Sequence, residues 1–281
     1  MADLTTASAS EPTTKEIILD QIADVIGQDS LHTVSPKPAP TTPPTVPIPP
    51  SDPDDDFVPP CITQTPIPKA LQAKKKNLGA IIVGLNRECP RWVPGSVLKW
   101  VVLREGFKTP ADADYAAQHL NMACQKWNEL DVGVKFEWVK DAADASFALW
   151  FGGSQGNVLA SAFFPNPNDL NMMLVYSAAF AMPKWKANLW KVFTHELGHV
   201  LGLRHEFALD KDPQTGEVRE AFKSVQLGPR NENSVMAYGR NPPEIQQSDV
   251  DSTKEFYALS EDEQGNPPKV GLTEVQDYEP M

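Results

Sequence analysis

Three of the five histidines in this 281-residue chain fall within eleven residues, at His195, His199 and His205. Residues four apart project from one face of a helix, so His195 and His199 would present their imidazoles about one turn apart. Two neutral imidazoles that converge in this way suit a divalent zinc ion. Glu196 lies on the adjacent face, where it is placed to accept a proton from a water on the metal.

The chain must turn sharply after this helix if the third histidine is to return to the same metal. Gly202 comes three residues after His199, and glycine readily adopts the positive φ that ends a helix. Three histidine ligands leave a fourth position for water, which is the arrangement of a catalytic zinc site. We therefore expect one catalytic Zn²⁺ held by His195, His199 and His205, with Glu196 as general base.

The segment His195–His205 resembles the HExxHxxGxxH motif of the metzincin zinc endopeptidases, and Ser234–Gly239 resembles their Met-turn. The resemblance implies that Met236 packs beneath the histidines as an apolar floor. It also implies that Tyr238, like its counterpart in the astacin and serralysin families, lies near the zinc and stabilises the oxyanion. Glu206, directly after the third histidine, is similar to the residue found there in astacins.

Other segments resemble the catalytic domain of matrix metalloproteinases. Trp92–Val102 is similar to its first strand, Trp127–Leu130 to the end of its first helix, and Val158–Pro165 to the edge strand along which substrate lies. Ser161 stands where that family has a histidine that helps hold a second, structural zinc. We therefore predict no structural zinc, and the sequence leaves calcium binding open.

The aromatic residues locate the folded core, because 22 of the 24 Phe, Trp and Tyr lie between Trp92 and Tyr257. Strand patterns followed by helices around them indicate an α/β or α+β domain. The resemblance implies an α+β zincin fold of the α/β type. Such a fold has a twisted, mostly parallel sheet, an active-site helix, here expected from Lys184 to Leu201, and a C-terminal helix, here opened by Ser248. A disordered N-terminal extension precedes it.

Composition divides the chain into five parts. Thirteen of the 27 prolines lie between residues 36 and 68, which predicts an extended linker over 34–68. Residues 1–33 form an N-terminal extension with a short amphipathic helix, which either docks on this protein or is frayed, or else binds a partner or acts as an inhibitor. Residues 69–89 are a hinge or a pro-segment-like region, 90–260 the metzincin-like catalytic domain, and 261–281 a disordered acidic tail.

The charge restricts the partners. A net charge of −12 argues against nucleic acid as a partner, because phosphate binding needs a basic surface.

No apolar run is long enough for a membrane span. The first residues lack the features of a secretory signal, which favours a cytoplasmic protein, secretion by another route or an incorrectly assigned start. We expect a monomer that acts on a protein or peptide substrate.

The expected activity is peptide-bond hydrolysis by a zinc-activated water, and three questions stay open. The chain could instead be a catalytically silent zinc-binding interaction module with the metzincin fold. Its proline-rich N-terminal region could bind an SH3- or WW-like partner. Cys61 or Cys89 could keep the enzyme latent as a thiolate on the zinc, or both could be ordinary free thiols.

Overall fold

The computed structural model describes residues 13–26, 33–38, 58, 60, 88–208, 214, 225, 227, 231–237 and 239–281. Cys61, Tyr238 and most of the proline-rich segment therefore lie outside the described residues. The helices are α1 (Thr14–Ile26), α2 (Pro110–Leu130), α3 (Ser177–Ala181), α4 (Pro183–Ala187), α5 (Leu189–Val200) and α6 (Gln247–Ala258). The strands are β1 (Glu88–Trp92), β2 (Val97–Val102), β3 (Lys135–Trp138), β4 (Phe147–Phe151), β5 (Ala160–Ser161), β6 (Asn171–Val175), β7 (Lys269–Val270) and β8 (Thr273–Tyr278).

Five strands form the main sheet in the order β3-β2-β4-β6-β5. The first four are parallel to one another, and β5 runs antiparallel to β6 at the edge. The helix α2 connects the parallel neighbours β2 and β3. It begins at Thr109, whose side chain accepts a hydrogen bond from the backbone N–H of Asp112, and Pro110 occupies its first turn, as the sequence predicts. The mostly parallel α+β architecture expected from the sequence is confirmed.

Each face of this sheet packs against different helices, because successive strand residues point to opposite faces. Leu98 and Trp100 of β2 join the main core with α2 and α5. Val101, the residue after Trp100, points to the other face and joins a second apolar cluster there. The helix α5 therefore packs in the same core cluster as this face of the sheet.

The second cluster is completed by α1. Ile22 of this helix is fully buried, and it packs in one cluster with Val101, Ala148 and Trp150 of the sheet. Val34, in the next described segment, donates its N–H to the carbonyl of Val102 and is buried in the main core. In this structure α1 docks on its own chain.

The structure divides the helix that was expected from Lys184 to Leu201 into α4 and α5. Asn188 separates them with φ −113° and ψ 25°, outside the helical range. Its side-chain amide donates to the carbonyl of Lys184 at 2.9 Å, replacing a backbone partner at the end of α4. This local competition between side chain and backbone is typical of asparagine.

The prediction of a disordered acidic tail is wrong for residues 269–278. The strand β8 pairs in parallel with β1 and antiparallel with β7, so the folded unit extends past residue 260. Val270 and Val275 are buried. The fully buried side chain of Arg91 donates to Asp277 from Nε at 2.6 Å and from Nη2 at 3.1 Å, and Nη1 donates to the carbonyl of Phe256.

In the described part of the chain, no helix combines the length and apolar character needed to cross a membrane.

Replacing Ile22 by alanine should destabilise the protein if α1 docks as described. Leaving a cavity in place of a buried isoleucine costs about 2–5 kcal/mol. We expect a loss in this range in the free energy of unfolding, measured by urea titration with tryptophan fluorescence. The control is Asp20→Ala on the exposed face of the same helix, and equal, small effects of the two changes would show that α1 is not docked.

Asp277→Asn should destabilise the protein because it leaves the guanidinium of Arg91 buried without its carboxylate. Breaking a buried pair costs about 3–5 kcal/mol, but Asp277 is 36% exposed, so we expect about 1–3 kcal/mol. The matched change Glu274→Gln removes an exposed ion pair with Lys269 and should cost less than about 1 kcal/mol. Chemical denaturation of both variants measures the difference, and a loss in Asp277→Asn no larger than in Glu274→Gln would contradict it.

Candidate metal centre

The helix α5 carries the first two histidines, and side chains from other elements hold it at both ends. At its first turn, the backbone N–H of Trp190 donates to Nδ1 of His119 at 3.0 Å. Burial lowers the pKa of His119 to about 4, so this imidazole is a neutral acceptor at pH 7. At the other end, the indole N–H of Trp92 donates to the carbonyl of Val200, and the hydroxyl of Tyr257 donates to that of Leu201. These bonds satisfy backbone groups that helix ends leave without helical partners.

Gly202 ends this helix with φ +92°. The N–H of Gly202 donates to the carbonyl of His199, and the N–H of Leu203 donates to that of Gly198. This pair of bonds is a Schellman motif, which requires the left-handed conformation at its glycine. A Cβ at residue 202 would also lie 2.5 Å from the carbonyl oxygen of Pro90 in β1, so both the dihedral angle and the contact favour glycine.

The turn brings the three imidazoles together. The Nε2 atom of His205 lies 3.3 Å from Nε2 of His195 and 3.1 Å from Nε2 of His199. Four tetrahedral ligands at the Zn–N bond length of 2.0–2.1 Å are separated from each other by about 3.3–3.4 Å. All three side chains are buried, and the observed spacing fits one zinc ion.

Hydrogen bonds determine which nitrogen of His195 and of His199 faces the place where the three imidazoles converge. Nδ1 of His195 lies 2.6 Å from the carbonyl oxygen of Val235, and Nδ1 of His199 lies 2.8 Å from that of Leu203. A carbonyl only accepts, so both Nδ1 atoms carry the proton and both Nε2 atoms present a lone pair. His205 stacks on Phe207 with ring centroids 4.8 Å apart, which orients the third ring.

Burial also favours the neutral form that a metal requires. It lowers the pKa of His195 to about 4, against a smaller opposing effect of the bond to Val235. Burial likewise holds the pKa of His205 well below its usual value, with the nearby His195 and Arg204 acting in the same direction. Neutral imidazoles bind a divalent cation without first losing a proton. The donor set therefore fits zinc in spacing, tautomer and charge.

The Met-turn lies directly under the helix. The sulfur of Met236 occupies the place that a Cβ at Gly198 would take, so a larger residue between the two helical histidines would collide with it. Both Val235 and Met236 are buried. The structure thus places Met236 against the helix that bears His195 and His199.

A buried carboxylate on α6 holds this turn in place. Asp249 accepts hydrogen bonds from the hydroxyl of Ser234 at 2.6 Å and from the N–H of Val235 at 2.8 Å. It also accepts from the N–H of Gln246 at 2.8 Å. The backbone of Val235 therefore contacts Asp249 through its N–H and His195 through its carbonyl.

An open cavity of about 40 Å³ adjoins the histidines. His195 and Glu196 form one part of its lining, and Glu196 is only 1% exposed. The residues between Glu206 and Asn233, which the sequence suggests as a wall, lie mostly outside the described residues. Among those described, Trp185 from α4 and Pro60 from the proline-rich segment contribute instead.

Several other predicted positions have a defined place. Ser161 is buried and shares a hydrogen bond of 3.0 Å with the hydroxyl of Tyr176. Cys89 lies in β1 opposite Val275, and burial, with a smaller effect of Glu88, raises the pKa of its thiol. Glu206 accepts a hydrogen bond from the N–H of Asn231. Tyr238 and Cys61, by contrast, are not among the described residues.

Sequence reasoning missed Asp249, Trp185 and the carbonyls of Val235 and Leu203. A backbone carbonyl carries no signal in residue type, so only coordinates reveal those two partners. Asp249 sits three residues after Gln246 at the start of a helix, a pattern that indicates an N-terminal cap. Its additional bonds to the Met-turn depend on how α6 packs.

Comparison with known proteins places these features in a family. Among solved structures, one similar chain is high choriolytic enzyme 1, a hatching enzyme zinc-protease from the medaka fish Oryzias latipes. It shares 15% sequence identity over 60% of this chain and 94% of its own, with a TM-score of 0.40. No curated protein gives a significant match. The family model Reprolysin_5 of metallopeptidase family M12 matches residues 101–248, just over half of the chain. With the three clustered histidines inside this match, the chain belongs to metallopeptidase family M12 and is a metzincin.

Proposed function

We propose that this protein is a zinc-dependent endopeptidase in which His195, His199 and His205 hold the metal and Glu196 is the general base. The observation that carries the proposal is the convergence of the three Nε2 atoms: that of His205 lies 3.3 Å from that of His195 and 3.1 Å from that of His199. Membership of a metallopeptidase family supports a protein or peptide as substrate. When bound, zinc supplies a Lewis acid that activates water near pH 7 and polarises the scissile carbonyl.

Glu196 is the residue that moves protons. It follows His195 directly, it is buried, and it lines the same cavity. In the proposed reaction its carboxylate accepts a proton from the attacking water and then delivers this proton to the leaving amine. Tyr238 donates a hydrogen bond to the developing oxyanion, a contribution of about 3 kcal/mol per donor in comparable sites. This role of Tyr238 rests on the family resemblance.

The edge strand β5 positions the substrate backbone in this proposal. One side of β5 pairs with β6, and β5 is the last strand of the main sheet among the described residues. An extended peptide can therefore add to its other side through main-chain hydrogen bonds. The adjacent Leu159 and Ala160 line the cavity beside Glu196, so such a peptide would pass next to the proposed base.

Asp249 is a positioning residue in this scheme. Its bond to the N–H of Val235 holds the residue whose carbonyl accepts from Nδ1 of His195. Outer partners of this kind set the tautomer and the orientation of a metal-binding histidine. We infer that Asp249 acts through the Met-turn on the affinity for zinc.

Glu196→Ala should retain zinc but lose hydrolysis by about 10²–10⁴-fold, the usual contribution of general acid–base catalysis. The measurement compares cleavage of casein and of a quenched peptide with the zinc content of the purified protein. Glu255→Ala, on the exposed surface of α6, is the control and should match the parent. If Glu196→Ala cleaves as fast as the parent, the assignment of the base is wrong.

The same assays separate the enzyme from a catalytically silent zinc-binding module. An enzyme should lose proteolysis on treatment with a chelator and recover it when zinc is added back. A purified parent protein that binds one zinc ion per chain but cleaves neither substrate would favour the silent module.

Asp249→Asn should weaken zinc binding by roughly tenfold, at the lower end of the 10–100-fold effects of outer-sphere partners. Asparagine has one acceptor oxygen where aspartate has two: if this oxygen keeps the N–H groups of Val235 and Gln246, the NH2 group replaces the oxygen that accepts from the hydroxyl of Ser234. Competition with a chromophoric chelator measures the dissociation constant directly, without any activity assay. Asp251→Asn changes an exposed carboxylate on the same helix and should bind zinc like the parent; equal affinities in both variants would exclude the positioning role.

A further inference from the structure

The strand β5, along which the substrate backbone is proposed to lie, is very short. It comprises only Ala160 and Ser161, which pair with β6. Next to this pairing, the N–H of Tyr176 donates to the carbonyl of Leu159 at 2.9 Å. A backbone hydrogen bond adds only modestly to stability, because folding exchanges it for bonds to water. So short an edge strand therefore depends on side-chain contacts to hold its position.

One such contact joins β5 to the residue that follows β6. The hydroxyl oxygens of Ser161 and Tyr176 lie 3.0 Å apart, and both residues are buried. Ser161 pairs with Leu174, and Tyr176 continues β6 in an extended conformation, so its side chain points to the same face as Leu174. Diagonal neighbours of this kind reach each other when one side chain is long. The hydroxyl bond therefore links β5 to the end of β6.

Tyr176 is itself held by the segment that follows β4. A Cβ at Gly152 would lie 2.5 Å from Cε1 of the tyrosine ring, so the ring packs directly against the glycine. The N–H of Ser177 donates to the carbonyl of Gly153 at 2.9 Å, and the hydroxyl of Ser177 donates to the same carbonyl at 3.0 Å. The ring and the adjoining backbone are thus both fixed, and the hydroxyl that meets Ser161 has a defined place.

The strand held in this way lies beside the proposed general base. Leu159 and Ala160 line the cavity together with Glu196, whereas neither Ser161 nor Tyr176 is among the described residues that line it. Tyr176 can therefore act on a substrate through β5. An edge strand that is free to move must be ordered when a peptide pairs with it, and ordering of this kind weakens binding.

We propose that Tyr176 is a positioning residue for the substrate, because its hydrogen bond with Ser161 keeps β5 in place to pair with an extended peptide. This role rests on the proposed endopeptidase function and concerns the binding of substrate at that same site. With the bond present, β5 presents its outer edge in one arrangement. Without the bond, the peptide must order β5 as it binds.

Tyr176→Phe removes the hydroxyl and keeps the ring against Gly152. We expect it to raise KM for a quenched octapeptide by about two- to tenfold, the equivalent of one hydrogen bond. The value of kcat should stay within about twofold of the parent's, since a loss of uniform binding raises KM alone. A lower kcat at the parent's KM would overturn the proposal.

Ser161→Ala removes the other half of the same bond. It should raise KM to a similar extent, and the double variant with Tyr176→Phe should add little, because residues that share one interaction have non-additive effects. Fully additive effects of the two changes on KM would show that the hydroxyl groups act separately, which contradicts the proposal.

Tyr278→Phe is the matched control. The hydroxyl of Tyr278 donates to Oε1 of Glu88 at 2.8 Å, within the smaller sheet of β1, β8 and β7. This change therefore removes a tyrosine hydrogen bond outside the main sheet, and KM and kcat should stay at the parent's values. A rise in KM as large as that in Tyr176→Phe would show that the effect does not act through β5.

N-methylated peptides test whether the effect depends on main-chain pairing. Binding of a fluorescein-labelled octapeptide from casein, and of copies with one backbone nitrogen methylated at a time, is measured by anisotropy in the Glu196→Ala background. At the position that donates to β5, methylation should weaken binding by about two- to tenfold. The loss should be smaller when Tyr176→Phe is also present, because both changes affect one pairing. Equal losses in the two backgrounds would exclude the proposed role.

The same binding assay distinguishes failure of this inference from failure of the proposed function. A parent protein that cleaves no peptide, with peptide binding that Tyr176→Phe weakens, would overturn the proposed activity and retain the role of Tyr176. A parent that cleaves peptides, with KM and binding unchanged in Tyr176→Phe, would overturn the role of Tyr176 and leave the proposed activity in place.

Discussion

The candidate site depends on one constraint, the left-handed turn at Gly202 that returns the chain to the helix it has just left. Because Gly202 adopts φ +92° and packs against the backbone of Pro90, His205 comes within 3.3 Å of His195 and His199. The two carbonyls that accept from Nδ1 of the helical histidines then direct both Nε2 lone pairs to the same point. Neither the turn nor these bonds would produce a metal site alone.

Hydrogen bonds from other parts of the fold hold both ends of the helix α5 in place. Trp92 and Tyr257 bind the last carbonyls of α5, and His119 binds an N–H in its first turn. Trp92 belongs to β1, which is itself paired with the C-terminal strand β8. The strands β1 and β8 therefore meet behind the turn, and the partly exposed ion pair of Arg91 with Asp277 links them.

The sequence predicted regular elements where the local signal was strong and failed where the decisive partner was distant. Thr109 and Pro110 predict the start of α2, because an N-cap hydrogen bond and a proline in the first turn involve only neighbouring residues. The tail was expected to be disordered because its composition is acidic and includes Gly265 and a Pro-Pro pair. Its order depends on Arg91, 186 residues away in sequence from Asp277, and composition does not reveal a partner at that distance. Asp249 was missed for the same reason, since its bonds to the Met-turn follow from the packing of α6.

The sequence by itself determined the kind of chemistry that this protein can support. The spacing of three histidines, a glutamate and a glycine within eleven residues fixes which side chains share a helix face and where that helix must end, because these are properties of local backbone geometry. Only the tertiary structure decided how those residues are used. It supplies the carbonyl acceptors that select the tautomers of His195 and His199, the burial of all three imidazoles, and the indole of Trp185 in the lining of the cavity. These are interactions between segments far apart in the chain, so their partners are set by packing and not by local residue order.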